Sequence, residues 1–191
     1  MKLIFASHNE NKVLEIQNIL GDRYDLISLK DLSFHDDIPE TEETLEGNSL
    51  LKATAIHKEF EMPCFADDTG LEVEALEGAP GVYSARYAGS NKNAEDNMNL
   101  LLENLANHSN RKAQFRTVIT YKTNQQLLQF EGLVEGEIIC SKKGEYGFGY
   151  DPIFVPRGAS KTFAQMTMSE KNKYSHRSRA FEKLRAFLEL Q

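Results

Sequence analysis

Hydrophobic and polar positions recur along the chain with two periods, and the switches between them mark its elements. Leu3, Ile4, Phe5 and Ala6 form a short unbroken apolar run, which predicts a buried strand. The polar stretch Ser7-His8-Asn9-Glu10 leads into Val13, Ile16, Ile19 and Leu20, one face of a helix that Gly21 is expected to end. Asp25 to Leu29 reads as a second strand, and Phe34 to Glu43 as an acidic, turn-like loop in which Pro39 excludes a regular helix. Helical spacing returns from Thr44 to Phe60 through Leu45, Leu51, Ala55, Ile56 and Phe60. Pro63 starts a new element, and Cys64-Phe65-Ala66 reads as a strand running into Asp67-Asp68-Thr69-Gly70.

Glu77 to Asn93 holds Gly78, Pro80, Gly81 and Gly89 and predicts an ordered loop, followed by a helix over Ala94 to Leu105 with Met98, Leu101, Leu102 and Leu105 on one side. Phe115, Thr117, Ile119 and Tyr121 alternate with Arg116, Val118, Thr120 and Lys122, the period of a strand. Asn124 and Gln125 turn the chain into a strand over Leu127 to Val134, with a further strand expected over Glu135 to Cys140. Gly144 to Pro156 predicts a glycine- and aromatic-rich loop. From about Ser175, Phe181, Leu184, Phe187 and Leu188 have the spacing of a final amphipathic helix. Interleaved helices and strands early and clustered strands late predict a mixed α/β (α+β) fold in a single domain over 1–191.

The 191 residues, 40% of them hydrophobic, suffice to enclose one core. A net charge of -7 argues against a nucleic-acid polymer as partner, because such binding neutralises many phosphates with a basic face. A small anion is still allowed, given a local cluster of Lys and Arg. The two cysteines form no metal-ligand spacing and no disulfide framework, and no apolar run reaches the length of a membrane span. The expectation is a cytoplasmic protein without a membrane partner.

Four segments can carry chemistry, and each has a structural alternative. Ser7-His8-Asn9-Glu10-Asn11-Lys12 sits where a strand feeds a helix, so helix-start amides and Lys12 can face a phosphate; the alternative is that Asn9 or Asn11 merely caps the helix. In Asp67-Asp68-Thr69-Gly70, both carboxylates can meet one ion only if the chain turns, which Gly70 permits; the alternatives are an Asx turn and the catalytic turn of an aspartic protease. In Gly147-Phe148-Gly149-Tyr150-Asp151-Pro152, flanking glycines let Phe148 stand clear of its own backbone as a base-stacking platform, or Phe148 and Tyr150 plug the core. Glu170-Lys171 with Ser175-His176-Arg177 makes an anion or carbonyl-oxygen receptor, or a Ser175 cap followed by surface charges.

Taken in order, S-x-N-x-x-K at Ser7 to Lys12, FADDTGLEVEALEGAPGVYSARYAG at Phe65 to Gly89, GFGYDPIF at Gly147 to Phe154 and SHR at Ser175 to Arg177 resemble the inosine triphosphate pyrophosphatase family nearly end to end. The 25-residue central block is specific and removes the protease reading. The resemblance implies a long mixed β-sheet with flanking helices, two lobes around a central nucleotide-binding cleft, a homodimer, and hydrolysis of ITP, dITP and XTP to the monophosphate and pyrophosphate with Mg2+. It also implies that the loop from Ser7 to Lys12 and Lys52 meet the phosphates, that Glu40 and Asp68 bind magnesium, and that Asp68 is the catalytic group, with Asp67 as a supporting acid. Thr69 would touch the nucleotide and Phe148 would stack on the purine. Asp151, Lys171, His176 and Arg177 would line base and sugar, and Gly149 and Tyr150 are further substrate-binding candidates. One departure stands out: where the family often has Glu-Asn-Ala in the second helix, this chain has Gly47-Asn48-Ser49, with Glu43 and Glu46 as the candidate replacements for the missing carboxylate. The competing readings are a Maf-type pyrophosphatase with another base preference and a nucleotide-binding sensor without catalysis.

Overall fold

Leu3, Ile4 and Phe5 have no exposed surface, as expected of a strand covered on both faces. In the computed structural model, which describes residues 2–20 and 24–190, they belong to β1 (Lys2–Phe5). This strand pairs in parallel with β2 (Asp25–Ser28) on one side and β3 (Cys64–Val73) on the other, Ile4 lying opposite Ile27 and Cys64. The remaining strands are β4 (Pro80–Gly81), β5 (Lys112–Lys122), β6 (Leu127–Ile138) and β7 (Phe154–Pro156). The sheet runs in the order β2-β1-β3-β5-β6-β7, with β4 pairing β3. The helices are α1 (Glu10–Leu20), α2 (Leu45–Phe60), α3 (Ala94–Asn104), α4 (Met168–Asn172) and α5 (His176–Leu188). The mixed α/β fold is as expected; Gly21, expected to end α1, lies outside the described residues. Among the described residues no helix is long and apolar enough to cross a membrane.

The chain divides into two compact units: Met1–Asp68, Thr117–Gly132 and Ser178–Gln191 form the first, Thr69–Arg116 and Leu133–Arg177 the second. In the first, strand periodicity separates two cores. Leu3, Phe5 and Phe65 join Ile16 and Leu20 of α1 and Ala180, Phe181 and Leu184 of α5, with the Phe5 and Phe65 rings stacked at 4.7 Å. Ile4, Ala6, Cys64 and Ala66 face the opposite way, onto Ala53 and Ile56 of α2. Each large side chain so buried contributes about 1.5–3 kcal/mol. In the second unit, Met98 and Leu101 of α3 and Leu105 at its C-cap pack with Leu71, Val73, Phe115, Tyr150 and Phe154.

Three expectations are corrected. Gly70 does not turn the chain: β3 continues through it to Val73, because β4 packs so closely that a Cβ on Gly70 would lie 2.7 Å from the Gly81 carbonyl oxygen. The two strands expected over Leu127–Val134 and Glu135–Cys140 are one, and Phe154–Pro156, expected as loop, is strand β7 paired with it at Gly136. The strand expected around Phe115 to Lys122 is β5, and its middle is buried on both faces. From Thr117 to Tyr121 every residue is buried, and the Thr120 hydroxyl meets Ser49 Oγ of α2 at 2.6 Å. A hydrogen-bonded threonine reads as polar in sequence yet costs little in a core.

Cys64 lies in this core, its thiol donating to the Ala53 carbonyl, and burial pushes its pKa up to about 12. Cys140 is exposed. Thiolate character governs reactivity, so titration with a disulfide reagent at neutral pH should find one thiol in the native protein and two after denaturation. Two fast native thiols would contradict this burial.

Candidate active site

The alternation that separates the two cores continues along β3 and decides where its acids go. Asp67 follows the parity of Phe65 toward α1, and Asp68 that of Cys64 and Ala66 toward α2. Each meets a lysine from the helix on its side. Lys12 Nζ donates to Asp67 Oδ1 at 3.0 Å; Lys52 Nζ donates to Asp68 Oδ1 at 2.9 Å and to Glu40 Oε1 at 2.8 Å. The vicinal carboxylates thus reach cations on opposite faces without a turn, the buried Lys52 on one and the partly buried Lys12 on the other.

Asp67 and Asp68 are buried, and Lys52 keeps only 8% of its surface exposed. Burial pushes the Asp68 carboxyl above its ordinary pKa; Lys52 and Lys12 pull it down without reversing the shift, and Glu40 raises it further. Burial alone would push Lys52 down, but Asp68, Glu40 and Asp67 outweigh it and hold the ammonium above its ordinary value. Both directions fit a dry cluster in which carboxylates outnumber ammoniums.

In the segment before α1 the capping reading holds at Asn9. Asn9 Oδ1 accepts from Lys12 N–H at 3.2 Å and caps the helix, and Ser7 Oγ accepts from Asn9 N–H at 3.2 Å. His8 donates from Nε2 to the Asp36 carbonyl and stacks on Phe34. Glu10 pairs with Lys30 at the surface, and Asn11 is exposed. Of Ser7 to Lys12, Lys12 is the side chain that reaches the buried acids.

Sequence reading missed Asn48. Its amide is fully buried, accepting from Glu42 N–H at 3.0 Å and donating to the Glu42 carbonyl at 3.2 Å, so it ties down the loop that carries Glu40. An asparagine inside a helix is a poor helix former unless its side chain has such a task, and that was the available signal. Gly47 is also explained: a Cβ there would lie 2.7 Å from Glu42 Cβ. Glu43 is exposed and Glu46 half-buried; the carboxylates acting on Lys52 are Asp68, Glu40 and Asp67.

The other predicted residues gather in the second unit. Asp151 Oδ2 accepts from Phe148 N–H at 2.9 Å and from Lys171 Nζ at 2.6 Å, a pair with side chains 5% and 4% exposed. Phe148 is half-buried. Lys171 Nζ lies 5.1 Å and Arg177 Cζ 5.6 Å from its ring centroid, within cation–π range. Gly147 and Gly149 have φ of 77° and 61°, which lets the loop close this tightly around Asp151. Tyr150 takes the core role, its hydroxyl donating to the Ser84 carbonyl at 2.9 Å. Arg177 is 1% exposed and donates to Thr69 Oγ1 at 3.3 Å, while His176 stacks on Phe115 at 4.7 Å. They are therefore not surface charges.

Lys171 lies in α4 rather than at the start of α5. A capping box fixes that helix: Thr167 Oγ1 accepts from Glu170 N–H, and the Glu170 carboxylate accepts from Thr167 N–H at 2.8 Å, which with Lys161 lowers its pKa to about 2. The Thr-x-x-Glu spacing was legible and overlooked. A cavity of about 790 Å³ elsewhere in the second unit is lined by Glu72, Lys112, Gln114, Glu135 and Arg157, none of them a predicted site residue.

Comparison with known proteins accounts for the whole chain. A dITP/XTP pyrophosphatase from Flavobacterium johnsoniae is 52% identical over 184 residues, covering 96% of both chains. The structure is similar to that of the Staphylococcus aureus Ham1 protein, with a TM-score of 0.89, 44% identity and coverage of 99% of this chain and 98% of that one. It is also similar to a HAM1 protein from Coxiella burnetii, with a TM-score of 0.90, 38% identity and full coverage of both. The Ham1 family profile matches residues 3–187, and with likeness of this extent the chain belongs to the Ham1 family.

Proposed function

We propose that this chain is a nucleoside triphosphate pyrophosphohydrolase that converts ITP, dITP and XTP to the monophosphate and pyrophosphate. The observation that carries the reading is the buried cluster in which Lys52 joins Glu40 to Asp68 while Lys12 holds Asp67. It combines phosphate-binding cations with a carboxylate suited to water. The substrate class is supported by the name of the Flavobacterium relative, a dITP/XTP pyrophosphatase.

In this reading Lys12 and Lys52 receive the triphosphate, and water attacks the α-phosphorus as the bond to the bridging oxygen breaks and pyrophosphate departs. Asp68 orients that water and takes its proton, a task suited to a carboxylate whose pKa burial has raised. Asp67 keeps Lys12 aimed. A purine 6-oxo group accepts a hydrogen bond from Arg177, and Phe148 offers its ring to the base. Asp151, engaged by Phe148 N–H and Lys171 Nζ, positions the base loop in this reading. Adenine carries a donor where hypoxanthine carries an acceptor, and such a mismatch costs about 1–3 kcal/mol per buried group.

Magnesium fits the first cluster. It needs one or two protein carboxylates and takes its other oxygens from phosphates and water. Glu40 and Asp68 supply that number around a single cation position, and among the described residues no larger His, Cys, Asp and Glu cluster is assembled. When bound, the ion offsets the charge that develops on the phosphate oxygens. The protein acts as a homodimer in the cytoplasm in this proposal. The test is product analysis over eight nucleoside triphosphates with and without EDTA. Pyrophosphate from ITP, dITP and XTP, suppressed by EDTA, is expected; equal turnover of GTP, or EDTA-resistant turnover, would refute the reading.

A further inference from the structure

We propose that Lys52 is an internal stand-in for the divalent cation: its ammonium holds Glu40 and Asp68 together in the nucleotide-free protein, so the metal binds only with a nucleotide whose phosphates draw the ammonium away. This rests on the pyrophosphohydrolase reading, and it adds an order of events that the chemistry alone does not require.

The geometry is that of a position already filled. Lys52 Nζ lies 2.8 Å from Glu40 Oε1 and 2.9 Å from Asp68 Oδ1, the two groups assigned to the metal. The side chains of Lys52 and Asp68 are 10% and 9% exposed, so solvent screens the ammonium poorly from an incoming divalent ion. A metal arriving alone must displace a hydrogen-bonded cation and leave it, still charged, in a largely dry place. With a triphosphate the displaced ammonium has somewhere to go. Lys52 stands on α2, anchored by the buried Ala53 and Ile56, and its flexible stem can carry the ammonium to a phosphate oxygen while the helix stays put. Lys12 holds Asp67 and adds its own positive charge beside Asp68, a further obstacle to a metal that arrives without phosphate.

The test compares magnesium binding by wild type, Lys52→Gln and Lys52→Arg, using calorimetry and melting temperature without nucleotide, at ionic strength matched with KCl. Lys52→Gln should melt lower than wild type without metal, bind Mg2+ alone at least about tenfold more tightly, and regain melting temperature on adding it. Lys52→Arg should bind Mg2+ alone as weakly as wild type. In wild type, Mg2+ alone should barely move the melting temperature, whereas Mg2+ with the α,β-imido analogue of ITP should raise it beyond the analogue alone. Tight binding of Mg2+ alone by wild type, or no gain in Lys52→Gln, overturns the inference. Should Lys52→Gln not fold, the wild-type comparison decides. ITP turnover by wild type, measured in parallel, tests the parent reading separately: turnover without the predicted metal behaviour sinks this inference alone.

Discussion

Replacing Asp68 with asparagine should lower kcat by about 10²–10⁴ while changing the KM for ITP less than about tenfold. The amide keeps the shape of the carboxylate and can still accept a hydrogen bond from Lys52, so the local packing around β3 is retained. It cannot take a proton from water. Because Lys12 and Lys52 remain to hold phosphate, binding should survive where turnover does not. Steady-state kinetics and a single-turnover experiment at saturating enzyme separate the two effects. Turnover within a factor of a few of wild type would remove Asp68 from the reaction. Asp67→Asn gives the contrast, since that residue acts through Lys12: its expected effect falls mainly on KM.

The largest effect on stability is expected in the second unit. Lys171→Met should cost about 3–5 kcal/mol, because it strips the buried Asp151 carboxylate of its ammonium. The loss should be relieved by adding Asp151→Asn, which removes the stranded charge and can keep the Phe148 N–H bond through its amide oxygen. Urea denaturation of the two single variants and the double variant measures this. A Lys171→Met protein within about 1 kcal/mol of wild type, or a double variant less stable than Lys171→Met, would contradict the account. The same change withdraws one of the cations over the Phe148 ring, so kcat/KM for ITP should also fall.

The sequence alone determined the elements that carry their own period. β1, α2, α3 and α5 are legible because their apolar residues recur locally, and caps such as Thr44 and Asn93 stand where the helices begin. It also determined which acids, lysines and aromatics are available, through four motif blocks in order. The period of two along Cys64 to Asp68 even held the answer to where the vicinal acids point, although Gly70 would also permit a turn there. Tertiary structure decided the pairing. Lys12 and Asp67 are 55 positions apart, Lys171 and Asp151 are 20 apart, and Arg177 and Thr69 are 108 apart. No local rule links residues so separated, because an ion pair is chosen by which helix packs on which face of a strand. The same packing makes Gly70 and Gly136 contact points, since a neighbouring strand occupies the space a side chain would need.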